Sequence, residues 1–117
     1  MNVEKLPCPA CGFMTVPEGS YGTFNICEVC GWEDDALQLA NPGCGGGANG
    51  ASMVETQVAA LALYPLGETE AGGFLRDRAW RPLNREEIAI AERERAERPW
   101  KNASIFSASA TYWNETT

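Results

Sequence analysis

The sequence predicts a small α+β domain, in which a four-cysteine ribbon at the N-terminus precedes two helices. Two Cys-x-x-Cys pairs enclose a stretch rich in β-forming residues, and two later segments each begin with a helix-capping pattern. The chain has 117 residues, which is enough for one ordinary domain and too few for two. A core of this size is expected to need a metal or a partner for stability.

Four of the five cysteines form two pairs with the same internal spacing, and fifteen residues separate the pairs. Two residues between cysteines let one tight turn direct both sulfurs at a common point, and a second such turn completes a tetrahedron. This spacing is typical of a structural zinc site. Because four thiolates leave no position for an activated water, the predicted role is structural rather than catalytic. The predicted ligands of one Zn²⁺ per chain are Cys8, Cys11, Cys27 and Cys30.

Other chemistry is open to the same four thiolates. A rubredoxin-like iron site uses the same ligand set and is the less favoured alternative. Two disulfides need an oxidising compartment, and no secretory signal is visible in the sequence. A thioredoxin-like redox site needs one Cys-x-x-Cys near a βαβ pattern rather than two pairs at matched spacing. The fifth cysteine, Cys44, fits no ligand spacing and is interpreted as an incidental loop thiol.

The residues around the cysteines predict the ribbon itself. Gly12 and Gly31 each follow the second cysteine of a pair, where a positive φ completes the turn without a Cβ clash. Residues 13–16 and 21–26 are rich in β-forming side chains, and residues 17–20 are typical of the turn between two strands. We therefore expect a hairpin that connects the two cysteine loops.

Two capping boxes predict the helices that follow. Ser52 and Glu55 begin a helix that ends before Pro65, and Asn84 and Glu87 begin a second helix that ends at Pro99. The residues between the first helix and residue 73 are expected to form a loop. Apolar residues at helical spacing are expected to form the buried face of the first helix, namely Val54, Val58, Leu61 and Ala62.

Trp32 and three carboxylates, Glu33-Asp34-Asp35, directly follow the second cysteine pair. The next five residues, Ala36–Ala40, predict a short helical turn with Asp34 or Asp35 as its N-cap. The carboxylates are interpreted as capping and solvated charges. The functional alternative is an acidic patch that, with exposed parts of Trp32, binds a basic partner.

The charge distribution favours a protein partner over a nucleic acid. The formal net charge is −7, and up to Leu75 a single cation, Lys5, faces nine anions. A phosphate-binding surface needs clustered cations, so nucleic-acid binding is disfavoured. The alternative is a nucleic-acid-binding ribbon that uses the later arginines, Arg76, Arg78, Arg81 and Arg85.

Several classes of function are excluded or disfavoured. The sequence contains no histidine, which removes Ser-His-Asp and Cys-His hydrolases and His-ligated metals. The glycine-rich stretch at residues 43–50 lacks the Gly-Lys-Ser/Thr ending of a phosphate loop. The longest uncharged run contains Pro42 and is a poor membrane span. We therefore expect a protein that is not an enzyme; a small-molecule substrate is not specified by the sequence.

Several separated motifs occur in an order that resembles the bacterial cysteine-rich CPCC family. The resemblance runs from Leu6 to about Ile88 and implies a small, cytoplasmic, zinc-binding protein with no established activity. The family's name motif has a third cysteine where this chain has Ala10, which leaves the four-thiolate spacing intact. We divide the chain into this domain, residues 1–99, and an aromatic tail, residues 100–117. The motifs are Cys8-Pro9-Ala10-Cys11-Gly12, Gly19-Ser20-Tyr21, Ile26-Cys27-Glu28-Val29-Cys30, Trp32-Glu33-Asp34-Asp35, Gln38-Leu39-Ala40-Asn41-Pro42, Gly46-Gly47-Ala48-Asn49-Gly50 with Ser52 and Glu55, and Arg81-Pro82-Leu83.

Overall fold

A computed structural model describes residues 5–103, 105 and 111–114 of the chain. The radius of gyration is 13.3 Å, close to the value of about 13 Å expected for a compact domain of roughly 100 residues. Helices and one two-stranded antiparallel sheet make up the regular structure of the described residues. In chain order these are α1 (Ala36–Ala40), α2 (Met53–Leu63), β1 (Glu70–Ala71), β2 (Phe74–Leu75), α3 (Arg85–Glu97) and a 3₁₀ turn (Tyr112–Asn114).

The cysteine-containing region is held by isolated β-bridges rather than by the predicted hairpin. Leu6 pairs with Val16 across the first cysteine loop, and Ile26 pairs with Glu33 across the second. Each loop thus closes on its own flanking residues, and the two predicted strands do not pair with each other.

The predicted helix starts are confirmed. The Asp35 side chain caps α1 by accepting hydrogen bonds from the backbone of Leu37 and Gln38. Complete capping boxes begin α2 at Ser52 and α3 at Asn84. Each cap satisfies backbone N–H groups that a helix start leaves unpaired.

The predicted buried face of α2 is confirmed at Val54, which is half-buried and packs against the core, but it is wrong at two other positions. Val58 is 65% exposed, and Ala62 is exposed as well. The helix is apolar on almost every side, so hydrophobic periodicity does not identify which side meets the core. The side chains that face the core are Met53, Gln57 and Ala60.

The segment predicted as a loop before residue 74 contains strand β1, which pairs with β2 through the turn at Gly72 and Gly73. This hairpin packs on the first cysteine loop, where the Met14 N–H donates to the Leu75 carbonyl at 2.8 Å. The segment after α2 therefore helps to hold the cysteine region.

One hydrophobic cluster joins the cysteine loops to the helices and to the end of the chain. Trp113 is buried and packs edge-on against Tyr21, with ring centroids 6.0 Å apart. The Tyr112 hydroxyl donates to the Arg81 carbonyl at 2.6 Å. Phe106 of the predicted aromatic tail lies outside the described residues, and the division of the chain at residue 99 stays a prediction.

No helix in the described part of the chain combines the length and the apolar character that a membrane span requires.

Candidate metal centre

The structure brings together the four cysteines that the spacing singles out. Their sulfur atoms all lie within 4.8 Å of one another. The Sγ atoms of Cys8 and Cys30 are 3.7 Å apart, and those of Cys11 and Cys27 are also 3.7 Å apart. Sulfurs placed tetrahedrally at about 2.3 Å from an ion are about 3.8 Å from each other. All five cysteines of the chain are free thiols. The donor set therefore fits a tetrahedral metal ion and does not form disulfides.

Glycine shapes both cysteine loops as predicted. Gly12 and Gly31 have φ angles of +84° and +85°, and their N–H groups donate to the carbonyls of Cys8 and Cys27 at 2.7 and 2.9 Å. A Cβ atom at Gly12 would lie 2.4 Å from the Trp80 ring. The turn at Gly12 therefore requires glycine for its backbone angle and for its contact with Trp80.

Cys27 receives hydrogen bonds from outside the cysteine cluster. The Thr15 hydroxyl donates to Cys27 Sγ at 3.0 Å, and the backbone N–H groups of Val29 and Cys30 lie 3.4 Å from the same sulfur. Donors of this kind favour the thiolate over the thiol. Cys27 is therefore prepared to bind a cation.

The pKa of Cys27 and the pKa values of its neighbours are shifted in opposite directions. Hydrogen bonds from the neighbouring cysteines, first of all Cys11, hold the pKa of Cys27 well below its usual range. Burial raises the pKa of Cys8, and the hydrogen bond to Cys27 raises the pKa of Cys11. Without a cation, the Cys8 and Cys11 sulfurs therefore favour the protonated thiol. A bound metal ion is what allows all four to ionise, with release of protons.

Of the carboxylates after the second cysteine loop, Asp35 is a capping charge as predicted, but Asp34 and Asp35 are not solvated. Asp34 is 1% exposed and Trp32 is 2% exposed. Asp34 Oδ2 accepts hydrogen bonds from the N–H groups of Gly22 and Thr23 and from the Thr23 hydroxyl, at 2.6–3.0 Å. Asp35, 7% exposed, caps α1. The acidic patch is therefore wrong at Asp34 and Asp35, because their carboxylates accept hydrogen bonds from the protein's own backbone. Trp32 is too deeply buried to contribute to it, and Glu33 is half-buried.

A polar network fixes the glycine-rich segment after α1. Gln38 is fully buried, and its Nε2 atom donates towards the carbonyls of Cys44, Asn49 and Ala51 at 3.1–3.2 Å. Gln38 Oε1 accepts from the backbone and the side chain of Asn49, both at 2.9 Å. The roles of Gln38 and Asn49 are not predicted from the sequence. The one sequence feature that could have indicated a structural role for them is an uncharged polar side chain among apolar residues and glycines.

Asn49 also completes the second cysteine loop. Its side-chain amide accepts from the Glu33 N–H and donates to the Glu33 carbonyl, both at 2.8 Å. These are the two bonds that a neighbouring strand would make. The glycine-rich segment thereby closes one edge of the bridge between Ile26 and Glu33. Cys44, in the same segment, is buried and lies outside the four-cysteine cluster.

Arg76 is part of the internal structure rather than a free surface cation. Its guanidinium donates to the carbonyls of Cys11, Tyr64, Pro65 and Glu68 at 2.7–2.9 Å. It also lies 4.3 Å from the centre of the Phe13 ring. Arg76 therefore ties the first cysteine loop to the end of α2.

We expect Arg76→Lys to lower the free energy of unfolding by about 2–3 kcal/mol, because an ammonium group cannot reproduce a planar set of donors to four carbonyls. Urea denaturation of the metal-loaded protein measures the change. Arg78→Lys, at an exposed position, is the matched control and should leave stability unchanged. Equal stabilities of the two variants would contradict the structural role of Arg76.

The other arginines proposed for nucleic-acid binding differ in their surroundings. Arg81 forms a bidentate ion pair with Glu87, at 2.6 and 2.9 Å, and its guanidinium lies 4.9 Å from the Tyr112 ring centre. Arg78 and Arg85 are exposed. Two of the four arginines therefore have partners within the chain.

Taken together, the fold and the site define a small cysteine-rich protein, with a candidate four-thiolate metal site between two short loops. Residues 6–64, about half of the chain, match the model of the cysteine-rich CPCC family, and the chain belongs to this family. No curated protein matches the chain. The match contains all four clustered cysteines. It ends at residue 64, so the resemblance expected from there to Ile88 stays a prediction.

Proposed function

We propose that this protein is a structural-zinc protein that acts as a non-catalytic protein-interaction module. One Zn²⁺ per chain is held by Cys8, Cys11, Cys27 and Cys30. The observation that carries the proposal is the set of four sulfurs at tetrahedral distances. Zinc is preferred to iron because closed four-thiolate sites with this ligand spacing are typical of structural zinc.

A structural role is supported by the surroundings of the site. Cys8, Cys11 and Cys27 are at most 6% exposed, and four protein ligands complete a tetrahedral coordination. Asp34 and Gln38 are engaged with the protein's own backbone. Buried polar groups with such partners stabilise a fold and are not available to a substrate.

The charge of the protein supports a protein partner. A four-thiolate zinc site carries a formal charge of −2, which adds to the excess of acidic residues before Leu75. The guanidinium of Arg76 is occupied by carbonyl groups. Phosphate groups would therefore meet few available cations near the metal site. The cytoplasm is the proposed compartment, since thiols stay reduced there and can bind zinc.

Metal analysis of the purified 117-residue chain tests the proposal. We expect a colourless protein with one zinc per chain. Cys27→Ala should lose the metal, whereas the matched variant Cys44→Ala should retain it, because Cys44 lies outside the cluster. Iron in the sample, together with visible absorbance, would instead favour the rubredoxin-like electron carrier. Retention of stoichiometric zinc by Cys27→Ala would overturn the ligand assignment.

A further inference from the structure

We propose that Phe24 and Ile26, on the second cysteine loop, bind an extended protein segment in which lysine or arginine alternates with apolar residues. The inference rests on the proposed function and names the surface and the partner chemistry. Phe24 is 58% exposed and Ile26 is 63% exposed. We call these two residues the Phe24/Ile26 face. Single exposed apolar residues are ordinary on a protein surface, so the inference depends on the backbone and the charges around these two residues.

The structure holds Phe24 outward at an energetic cost. Phe24 has a φ angle of +60°, which is unfavourable for an aromatic residue. Its N–H donates to the Asp34 carbonyl at 2.9 Å, and the buried Asp34 carboxylate binds the preceding backbone at Gly22 and Thr23. Strained residues persist only where surrounding contacts fix them, and they concentrate at functional positions.

The backbone next to this face offers an open strand edge. Two backbone hydrogen bonds flank the bridge between Ile26 and Glu33. On one side the Cys27 N–H donates to the Trp32 carbonyl, and on the other side the Asp34 N–H donates to the Asn25 carbonyl. In this arrangement the N–H and C=O groups of Ile26 point away from Glu33. Among the described residues they have no hydrogen-bond partner.

The opposite edge of the same bridge is closed, because Asn49 bonds both backbone groups of Glu33. At this bridge, strand addition is therefore available beside Ile26 and not beside Glu33. A segment that adds there would make main-chain hydrogen bonds and place alternate side chains against the exposed apolar residues.

The surrounding charges select a basic segment. Glu33 lies opposite Ile26 in the bridge, Glu28 follows two residues later and is exposed, and Glu18 accepts a hydrogen bond from the Asn25 side chain at 3.3 Å. Lys5, the single cation before residue 76, lies over the Phe74 ring instead. A second copy of the same acidic chain would meet like charges at this face, which disfavours self-association.

Fluorescence anisotropy tests the face with a labelled peptide of alternating lysine and valine, added to the zinc-loaded full chain. We expect salt-dependent binding of this peptide and no binding of a matched glutamate–valine peptide. The double variant Phe24→Asn/Ile26→Thr should bind about tenfold more weakly or worse. Asparagine tolerates a positive φ and threonine favours strands, so the variant should fold.

The control Val58→Thr removes an exposed apolar residue from α2 and should bind like the wild type. Equal peptide affinities of the double variant and the wild type would overturn the inference. The inference would also be overturned by a concentration-dependent dimer that the double variant abolishes, because a second copy of the chain would then occupy the Phe24/Ile26 face. The zinc content is measured on each sample. Loss of binding with one zinc per chain supports the face, whereas a zinc-free wild type contradicts the proposed function instead.

Discussion

Chelation of the metal is expected to abolish the tertiary structure of the region from Lys5 to Asp35. Structural zinc sites contribute about 10–16 kcal/mol of apparent binding free energy at neutral pH, whereas a native domain is stable by only about 5–15 kcal/mol. The regular structure of this region consists of isolated bridges. Three of the four cysteines are themselves members of the hydrophobic core. The bonds from the metal to the sulfurs are therefore expected to be the largest single contribution to the stability of this region, and the remaining contacts should not hold it once the sulfurs repel one another or are protonated.

Near-UV circular dichroism measures this loss, because Tyr21 and Trp32 are each 2% exposed and sit in the same core. We expect their signal to disappear on chelation and to return when Zn²⁺ is added in excess. Acidification should have the same effect as the chelator, since protons compete with the metal for the thiolates. A near-UV spectrum that survives complete metal removal would contradict the structural role of the site.

Features encoded in short stretches of sequence could be predicted. The cysteine spacing predicted which sulfurs lie together, because each Cys-x-x-Cys turn has one compact geometry. The capping boxes at Ser52 and Asn84 predicted where α2 and α3 begin, because each box satisfies its own backbone within four residues. These motifs depend on no distant contact.

Features that depend on distant contacts could not be predicted. Asp34 and Arg76 have charged side chains, which favour solvent in the absence of partners. Their partners are backbone groups far along the chain, as in the bond from Arg76 Nε to the Cys11 carbonyl at 2.9 Å. Gln57 likewise faces the core because its amide donates to the Pro9 carbonyl at 2.9 Å. Hydrophobic periodicity contains no information about such pairings.

Gln38→Glu is expected to destabilise the protein strongly, although the two side chains have nearly the same shape. The Nε2 atom of Gln38 points at three carbonyl oxygens, all within 3.2 Å. In the variant a carboxylate oxygen takes its place, so acceptor faces acceptor in a site with no exposed surface. An uncompensated buried charge costs about 3–5 kcal/mol. Urea denaturation of the zinc-loaded protein measures the difference.

The dependence of this loss on pH separates an electrostatic cause from a steric one. Burial among carbonyl groups raises the pKa of the introduced carboxyl in the folded state relative to the unfolded chain. A protonated carboxyl can donate one hydrogen bond to a carbonyl. The deficit relative to wild type at the same pH should therefore grow as the pH rises from about 5 to about 8. A deficit that is constant over this range would instead indicate altered packing.

Val58→Glu provides the matched control, because it adds the same carboxylate at a position that is 65% exposed. We expect this variant to stay within about 0.5 kcal/mol of the wild type. Gln38→Glu should also disorder the glycine-rich segment, because three carbonyl groups in or next to this segment lose the Nε2 donor that holds them. The Glu33 backbone should then be freed, since Asn49 of the same segment binds it. Faster amide exchange at Glu33 in Gln38→Glu, but not in Val58→Glu, would demonstrate that coupling. Equal stabilities of the two variants would contradict the role assigned to the Gln38 amide.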